Sequence, residues 1–423
     1  MGARLIARRA QRRAAAVAVA VGALVSSGCA SSSASGEIPT TTASPAATSA
    51  AEPTTAVTTT TAATSAPTAS ASPPTTVAPT TAPATTTSTT VVPDPTEAPC
   101  PEVPPPARDL SASLDREPFE PPADFVATRP LPSGGFAVRT GSPAAQAAAA
   151  TADPGARAVL TRLAGVPNAL SVGDWLGDGV TATVAQASAA ASSAGSISVL
   201  QIYNLPHRDA GGGFSAGGAP TADAYRAFTA AVIAGIGATN TIVILEPDSL
   251  GQMRSLNAAQ QRERYDLLNE TVDAYATLPN AWVYLDAAHC GWLSAEVNAQ
   301  RLLRAGVARA QGFFVNVANY QPTAAEVWRA HQIALLTGGR HFVVDTGRNG
   351  NGPFVGALTN RWCNPPDRAL GTEPTRGTAS RFADAYLWIK QPGASDGTCG
   401  RGNPAAGAFW PERAVELAHN TGW

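Results

Sequence analysis

Seven residues share one position: Trp175, Tyr203, Asp248, Asp286, Asn316, Asp345 and Lys390 each stand where a short apolar run ends. Carboxylates that meet at one point can do acid–base chemistry. One carboxyl, kept protonated by burial or a neighbouring charge, donates a proton, while another that stays ionised accepts one. Aromatic residues beside them offer flat apolar faces that suit sugar rings. Only the set carries this reading, because a single Asp after a strand is equally well explained as a turn former or a helix N-cap.

The apolar runs are the elements that must position these groups. They cover 169–176, 197–203, 241–246, 281–286, 312–317, 341–345 and 384–390, with 136–139 as a candidate eighth. Most are apolar throughout, as in parallel strands buried on both faces. Helical stretches alternate with them at 221–236, 257–277, 294–305 and 323–336. This alternation leaves a βα barrel or a doubly wound open sheet. No GxGxxG or GxxxxGK[ST] follows the first strands, which weighs against a nucleotide-binding open sheet. In a barrel, strand C-termini converge on one face, so polar strand ends would share a cleft. The expected fold is α/β: a distorted, TIM-like (β/α) barrel of seven or eight parallel strands after a disordered linker.

Seven motifs in order resemble glycoside hydrolase family 6, the cellobiohydrolases and β-1,4-endoglucanases. They are Tyr203-Asn204-Leu205-Pro206-His207-Arg208-Asp209, Ile242 to Leu250 around Leu245-Glu246-Pro247-Asp248, Leu285-Asp286-Ala287-Ala288-His289-Cys290-Gly291-Trp292, Asn316 to Tyr320, Asp345 to Pro353, Trp362-Cys363-Asn364, and Lys390 to Gly397. The resemblance runs over about 136–423 and implies a distorted barrel and an inverting mechanism. Carried over, Asp248 is the general acid and Asp209 raises its pKa by like charge. Asp396 takes the base position, Asp286 is a further cleft carboxylate, and Tyr203 presses on the distorted sugar. Ser215 holds the attacking water. Lys390, His289, Trp292, Asn319 and Trp362 match substrate contacts, and Trp175 is a further sugar-facing candidate. Arg208 is expected to order its loop by pairing with a carboxylate. A Cys363–Cys399 disulfide would staple the Trp362 loop to the Asp396 loop.

Two positions depart from the family pattern. Ala210 follows Asp209 where the family has Cys, and no Cys lies between Asp248 and Cys290, so both partners of that bridge are missing. Ala394 replaces a Glu that contacts sugar, which would leave Lys390 without its partner. These departures keep a second reading open, a glycan-binding surface lipoprotein with weak or no turnover. A third is hydrolysis of a different β-glucan. The absence of long insertions over the barrel favours endo action.

The ends of the chain are of a different kind. Residues 1–29 combine five arginines, an apolar run from Ala14 to Val25, and Ser26-Ser27-Gly28-Cys29. This reads as an export signal with a lipobox whose Cys29 is lipidated, or as an ordinary cleaved signal peptide. Residues 30–123 are rich in Thr, Ser, Ala and Pro, and hold too little apolar side chain to offset the entropy of folding. They read as an extended spacer that holds a 124–423 catalytic domain away from the membrane. The expectation is a secreted or surface-tethered monomer whose partner is a β-glucan, with the membrane reached only through the lipid. The chain has 423 residues, net charge -2 and 14% charged residues, so no basic stripe suggests nucleic acid. CxxC and HExxH patterns are missing, and no metal or cofactor is expected. Of five cysteines, four remain if Cys29 carries lipid. Cys100 sits in the Pro-rich approach, which disfavours its pairing with Cys290.

Overall fold

A computed structural model describes Cys100 and residues 120–423. The 1–29 leader with Cys29, and the 30–123 spacer apart from Cys100 and its last four residues, lie outside the described residues. The body opens with helices α1 (Pro143–Ala150) and α2 (Pro154–Ala164), started by the Ser142 and Asp153 caps. Strands and helices then alternate: β1 (Leu170–Val172), α3 (Val180–Ser193), β2 (Ser198–Ile202), α4 (Ala222–Ile236), β3 (Thr241–Leu245) and α5 (Ala258–Tyr275). They continue with β4 (Ala281–Asp286), α6 (Ala295–Arg304), β5 (Gly312–Val315), α7 (Thr323–Leu336), β6 (His341–Asp345), β7 (Ala383–Leu387) and α8 (Pro411–Asn420).

All six strand pairings are parallel and the spatial order is the chain order, β1 through β7. A doubly wound sheet would reverse direction at a switch point. This sheet curls one way, and a backbone bond from Ala169 N–H to the Trp388 carbonyl (3.0 Å) draws its ends together. Alternation along each strand builds two layers. Ile242, Ile244, Tyr284, Phe314 and Val343 fill the barrel interior. Val243, Leu245, Val283, Phe313 and Val344 face outward onto helix residues such as Val232, Leu268 and Ile333. A third cluster joins α1, α2 and α8 around Trp388 and Leu370.

Helices 221–236, 257–277, 294–305 and 323–336 fall within two residues of their expected ends, and three of the four start at a side-chain cap. Thr221 and Ser294 cap α4 and α6, and Asn257 with Gln260 forms a capping box on α5. The expected eighth strand at 136–139 is not one. Phe136 makes a single parallel bridge to Ile197, at the foot of β2, and extends no further. The 169–176 run is a strand only over Leu170–Val172, after which Asp174–Gly179 turns as a 3-10 helix.

Both disulfides form. Cys363–Cys399 closes a separation of 36 residues, as expected. Cys100–Cys290 spans 190 residues and corrects the expectation against it: the Pro-rich approach does not keep Cys100 away, and Cys290 lies in the buried loop after β4. Loss of the first bridge in a Cys363→Ser/Cys399→Ser variant is expected to cost about 3–4 kcal/mol in the chain-entropy description. Thermal unfolding measures this, and a melting temperature equal to that of the parent would refute it.

Candidate active site

The C-terminal ends of β2, β3, β5 and β7 open onto a cleft of about 600 Å³. Nine of the expected residues line it: Tyr203, Asp209, Ser215, Asp248, Trp292, Asn319, Trp362, Lys390 and Asp396. Asp286, His289 and Trp175 are not among its walls.

The carboxylates divide by environment. Asp248 lies two residues past Glu246, which follows β3, and its φ is +67°. Burial pushes its pKa well above the ordinary range, the negative charges of Asp286 and then Asp209 add to this, and Lys390 opposes them. A carboxyl shifted in this direction holds its proton to higher pH than an ordinary aspartate does. The expected influence of Asp209 is present, but Asp286 contributes more. Asp209 is fully bonded: Oδ2 accepts from Ser215 N–H (2.6 Å), and Oδ1 from Gly212 N–H (3.2 Å) and Gln252 Nε2 (2.9 Å).

Asp396 is the opposite case. Arg348 donates a hydrogen bond from Nη1 to Oδ2 (3.0 Å) and stands in ion-pair contact through Nη2 with Oδ1 (3.0 Å). Lys390 Nζ stands 3.4 Å from Oδ1, and Asn364 N–H donates to Oδ2 at 3.0 Å. Burial alone would raise its pKa, but Arg348 and Lys390 overcome this and hold it below the usual carboxylate range. Lys390 also donates to the Ser395 carbonyl (3.1 Å). The expectation that Ala394 strands Lys390 is therefore corrected, because Asp396 and a backbone carbonyl already occupy the ammonium.

Other strand-end carboxylates fix loops. Asp286 accepts from the N–H groups of Leu250, Gly251 and Ala288, each at 2.9 Å, and is 2% exposed. It holds the segment just after Asp248 and raises the pKa of Asp248 through its charge. Asp345 takes the N–H groups of Ala318, Gly347, Ile389 and Lys390. Asn316 exchanges bonds with the Gln321 backbone. For these three the turn-forming reading of a polar strand end holds. Sequence reasoning passed over Arg348, Gln252 and Glu246. Arg348, within the Asp345 to Pro353 motif, and Gln252, in a 3-10 turn after Asp248, bond partners 48 and 43 residues away, so no local spacing shows what they hold. Glu246 sits inside a quoted motif, and its isolation in an apolar strand end was a usable signal.

The aromatic walls are held from behind. Trp292 lies against Gly251 so closely that a Cβ there would stand 2.8 Å from its ring. His289, 1% exposed, packs beside Trp292 with centroids 5.6 Å apart, and burial pushes its pKa down to about 3. It supports the Trp292 loop from below and stays neutral. Trp362 packs on Phe214 at 5.8 Å. Trp175 is 51% exposed above Arg208, whose guanidinium pairs with Asp174 (2.6 Å) and bonds the Ser215 carbonyl (2.8 Å). Arg208 thus orders its loop through a carboxylate.

A barrel whose strand ends bring a carboxyl of raised pKa, one of lowered pKa and tryptophan faces to one cleft is the class of site that hydrolyses glycosidic bonds. Residues 135–421 match the family model of Glycosyl hydrolases family 6. Endoglucanase 1 of Streptomyces halstedii is 40% identical over 323 residues, 74% of this chain and 98% of that protein. Endoglucanase A of Cellulomonas fimi is 40% identical over 298 residues, 70% of this chain and 63% of that longer protein. Among solved structures, the endoglucanase Cel6 from Mycobacterium tuberculosis, in complex with methyl-cellobiosyl-4-deoxy-4-thio-β-D-cellobioside, superposes with a TM-score of 0.67 at 45% identity, covering 70% of this chain and 99% of that one. The chain belongs to glycosyl hydrolase family 6, and is a glycoside hydrolase.

Proposed function

We propose that the chain hydrolyses β-1,4-glucosidic bonds in cellulose or a related β-glucan, endo-fashion and with inversion. The observation that carries this is the cleft that brings Asp248, Asp209 and Asp396 together between Trp292 and Trp362, with the pKa of Asp248 raised by burial and like charge. It protonates the leaving oxygen. Asp209 and Asp286 keep that proton in place until the bond breaks, and their charge favours the cation-like sugar of the transition state. Tyr203 and the tryptophans hold the sugar, and Ser215, Asn319 and Lys390 position its hydroxyls and the attacking water. Asp396 takes the water's proton. Arg348 and Lys390 hold its pKa below the usual carboxylate range, which favours the accepting form at the expense of proton affinity. Endo action is supported by the endoglucanase names of the relatives at 40% and 45% identity.

The glycan-binder reading rested on Ala394 and on the missing bridge at Ala210. Lys390 keeps two partners without a Glu, and Asp209 holds the Ser215 loop by hydrogen bonds alone. Neither departure therefore removes a catalytic group. Export on the 1–29 leader, with a Cys29 lipid and the 30–123 spacer placing the enzyme at the cell surface, completes the proposal. Inversion is checked by proton NMR during early hydrolysis of cello-oligosaccharides. The first new reducing ends are expected as the α-anomer, and initial β-anomer would exclude the mechanism.

A further inference from the structure

Asp209 and Asp248 stand on separate loops, yet their backbones are among the most constrained in the chain. His207, Asp209, Glu246 and Asp248 all adopt left-handed φ, at 57°, 55°, 55° and 67°. Non-glycine residues keep such conformations only where the surroundings over-determine them. Two ionisable side chains, both almost fully buried, supply that determination. Glu246, 1% exposed, accepts from the N–H groups of Asn204 (2.9 Å) and Leu205 (3.0 Å) with Oε2, and from Asn204 again (3.0 Å) with Oε1. Arg264 on α5, 3% exposed, donates Nη1 to the Ser249 carbonyl (3.0 Å), and Nη2 to the carbonyls of Pro206 (3.2 Å) and His207 (2.7 Å).

The two act in opposite senses on the same pair of loops. Glu246 starts from the β3 loop and binds donors of the β2 loop. Arg264 comes from a third element and binds acceptors of both, one residue after Asp248 and two and three before Asp209. We infer that Glu246 and Arg264 form a clamp that sets the Asp209–Asp248 separation, and thereby aims the acid at the leaving oxygen. Both are positioning residues: neither lines the cleft of about 600 Å³, and both sit behind Asp209 and Asp248 in a cavity of about 10 Å³. The inference rests on the acid role of Asp248 proposed above. Lysine cannot copy the arginine, because one ammonium on a shorter reach cannot bond carbonyls on two loops in a fixed fork.

A displaced acid leaves a distinct kinetic mark. Protonation matters for a sugar alkoxide leaving group and hardly at all for dinitrophenolate, which departs unaided. Arg264→Lys and Glu246→Gln are compared with the parent on cellopentaose and on 2,4-dinitrophenyl β-cellobioside, with Asp248→Asn alongside. Folding is verified by circular dichroism and thermal unfolding. The expected result is a fall in kcat on cellopentaose of about 10–100-fold, the scale of a misplaced catalytic group. On the dinitrophenyl substrate the loss should be under about threefold, with KM little changed on either. Glu246→Gln carries the test alone if Arg264→Lys does not fold, and the reverse. Equal losses on both substrates in a folded variant mean general disruption and overturn the clamp. So do unchanged rates on both. If Asp248→Asn itself loses equally on both substrates, the acid assignment has failed. If Asp248→Asn shows the leaving-group pattern and neither clamp variant does, only the clamp has failed.

Discussion

Asp248→Asn is expected to lower kcat on unactivated β-glucan by about 10²–10⁴-fold, the usual worth of general acid catalysis. The amide keeps the shape of the carboxyl and has no proton to give. Binding of cello-oligosaccharides should survive, because Trp292, Trp362 and Lys390 are untouched. Stability should move the other way. The native pKa of Asp248 is raised by burial, Asp286 and Asp209. Holding this acid protonated while the unfolded chain would ionise it costs stability that appears as pH rises above about 3.9 and grows toward the raised native value. Asparagine removes that cost. The variant should unfold at higher temperature than the parent at pH 7, with the gain shrinking toward pH 4. Reducing-end release and melting curves at the two pH values measure both effects. Parental turnover in the variant would end the acid assignment.

Arg348→Met is expected to cost about 3–5 kcal/mol, the penalty for leaving one partner of a buried ion pair uncompensated. Asp396 is 6% exposed, and the bidentate Arg348 contact is its chief support. Its native pKa is depressed, so the parent pair contributes stability above the unfolded carboxylate pKa, and that contribution is lost as pH falls through the native value. Without the guanidinium, burial dominates and the Asp396 pKa rises. The acid limb of the pH–rate profile should therefore shift upward, while Arg348→Lys, which keeps the charge but not the fork, should shift it less. A denaturant melt and a pH profile check the two claims. An unmoved acid limb would mean that Asp396 plays no ionised role in turnover.

Much of this protein was legible from local chemistry. Continuous apolar runs marked the seven buried strands, because a parallel strand covered on both faces needs no polar alternation. Thr221, Asn257 and Ser294 stand at the first positions of three expected helices, and the structure shows each capping its helix, because orphan N–H groups demand an acceptor within three residues. Asp209, Asp248 and Asp396 were findable because their motifs are contiguous and strand C-termini face one way in a barrel. What needed the tertiary structure was the environment of each carboxylate. Asp248, Asp286, Asp345 and Asp396 are the same residue in similar sequence settings. Whether such a group is held protonated, spent on loop N–H groups, or locked to an arginine depends on partners tens of residues away. Burial and the sum of neighbouring charges decide it. The same holds for Cys100, whose partner lies 190 residues on, and for Lys390, which looked stranded beside Ala394 and is held by Asp396 instead. Sequence placed the chemical groups at the mouth of a barrel, and three-dimensional packing assigned their charges, because electrostatic energy depends on distance and burial rather than on order along the chain.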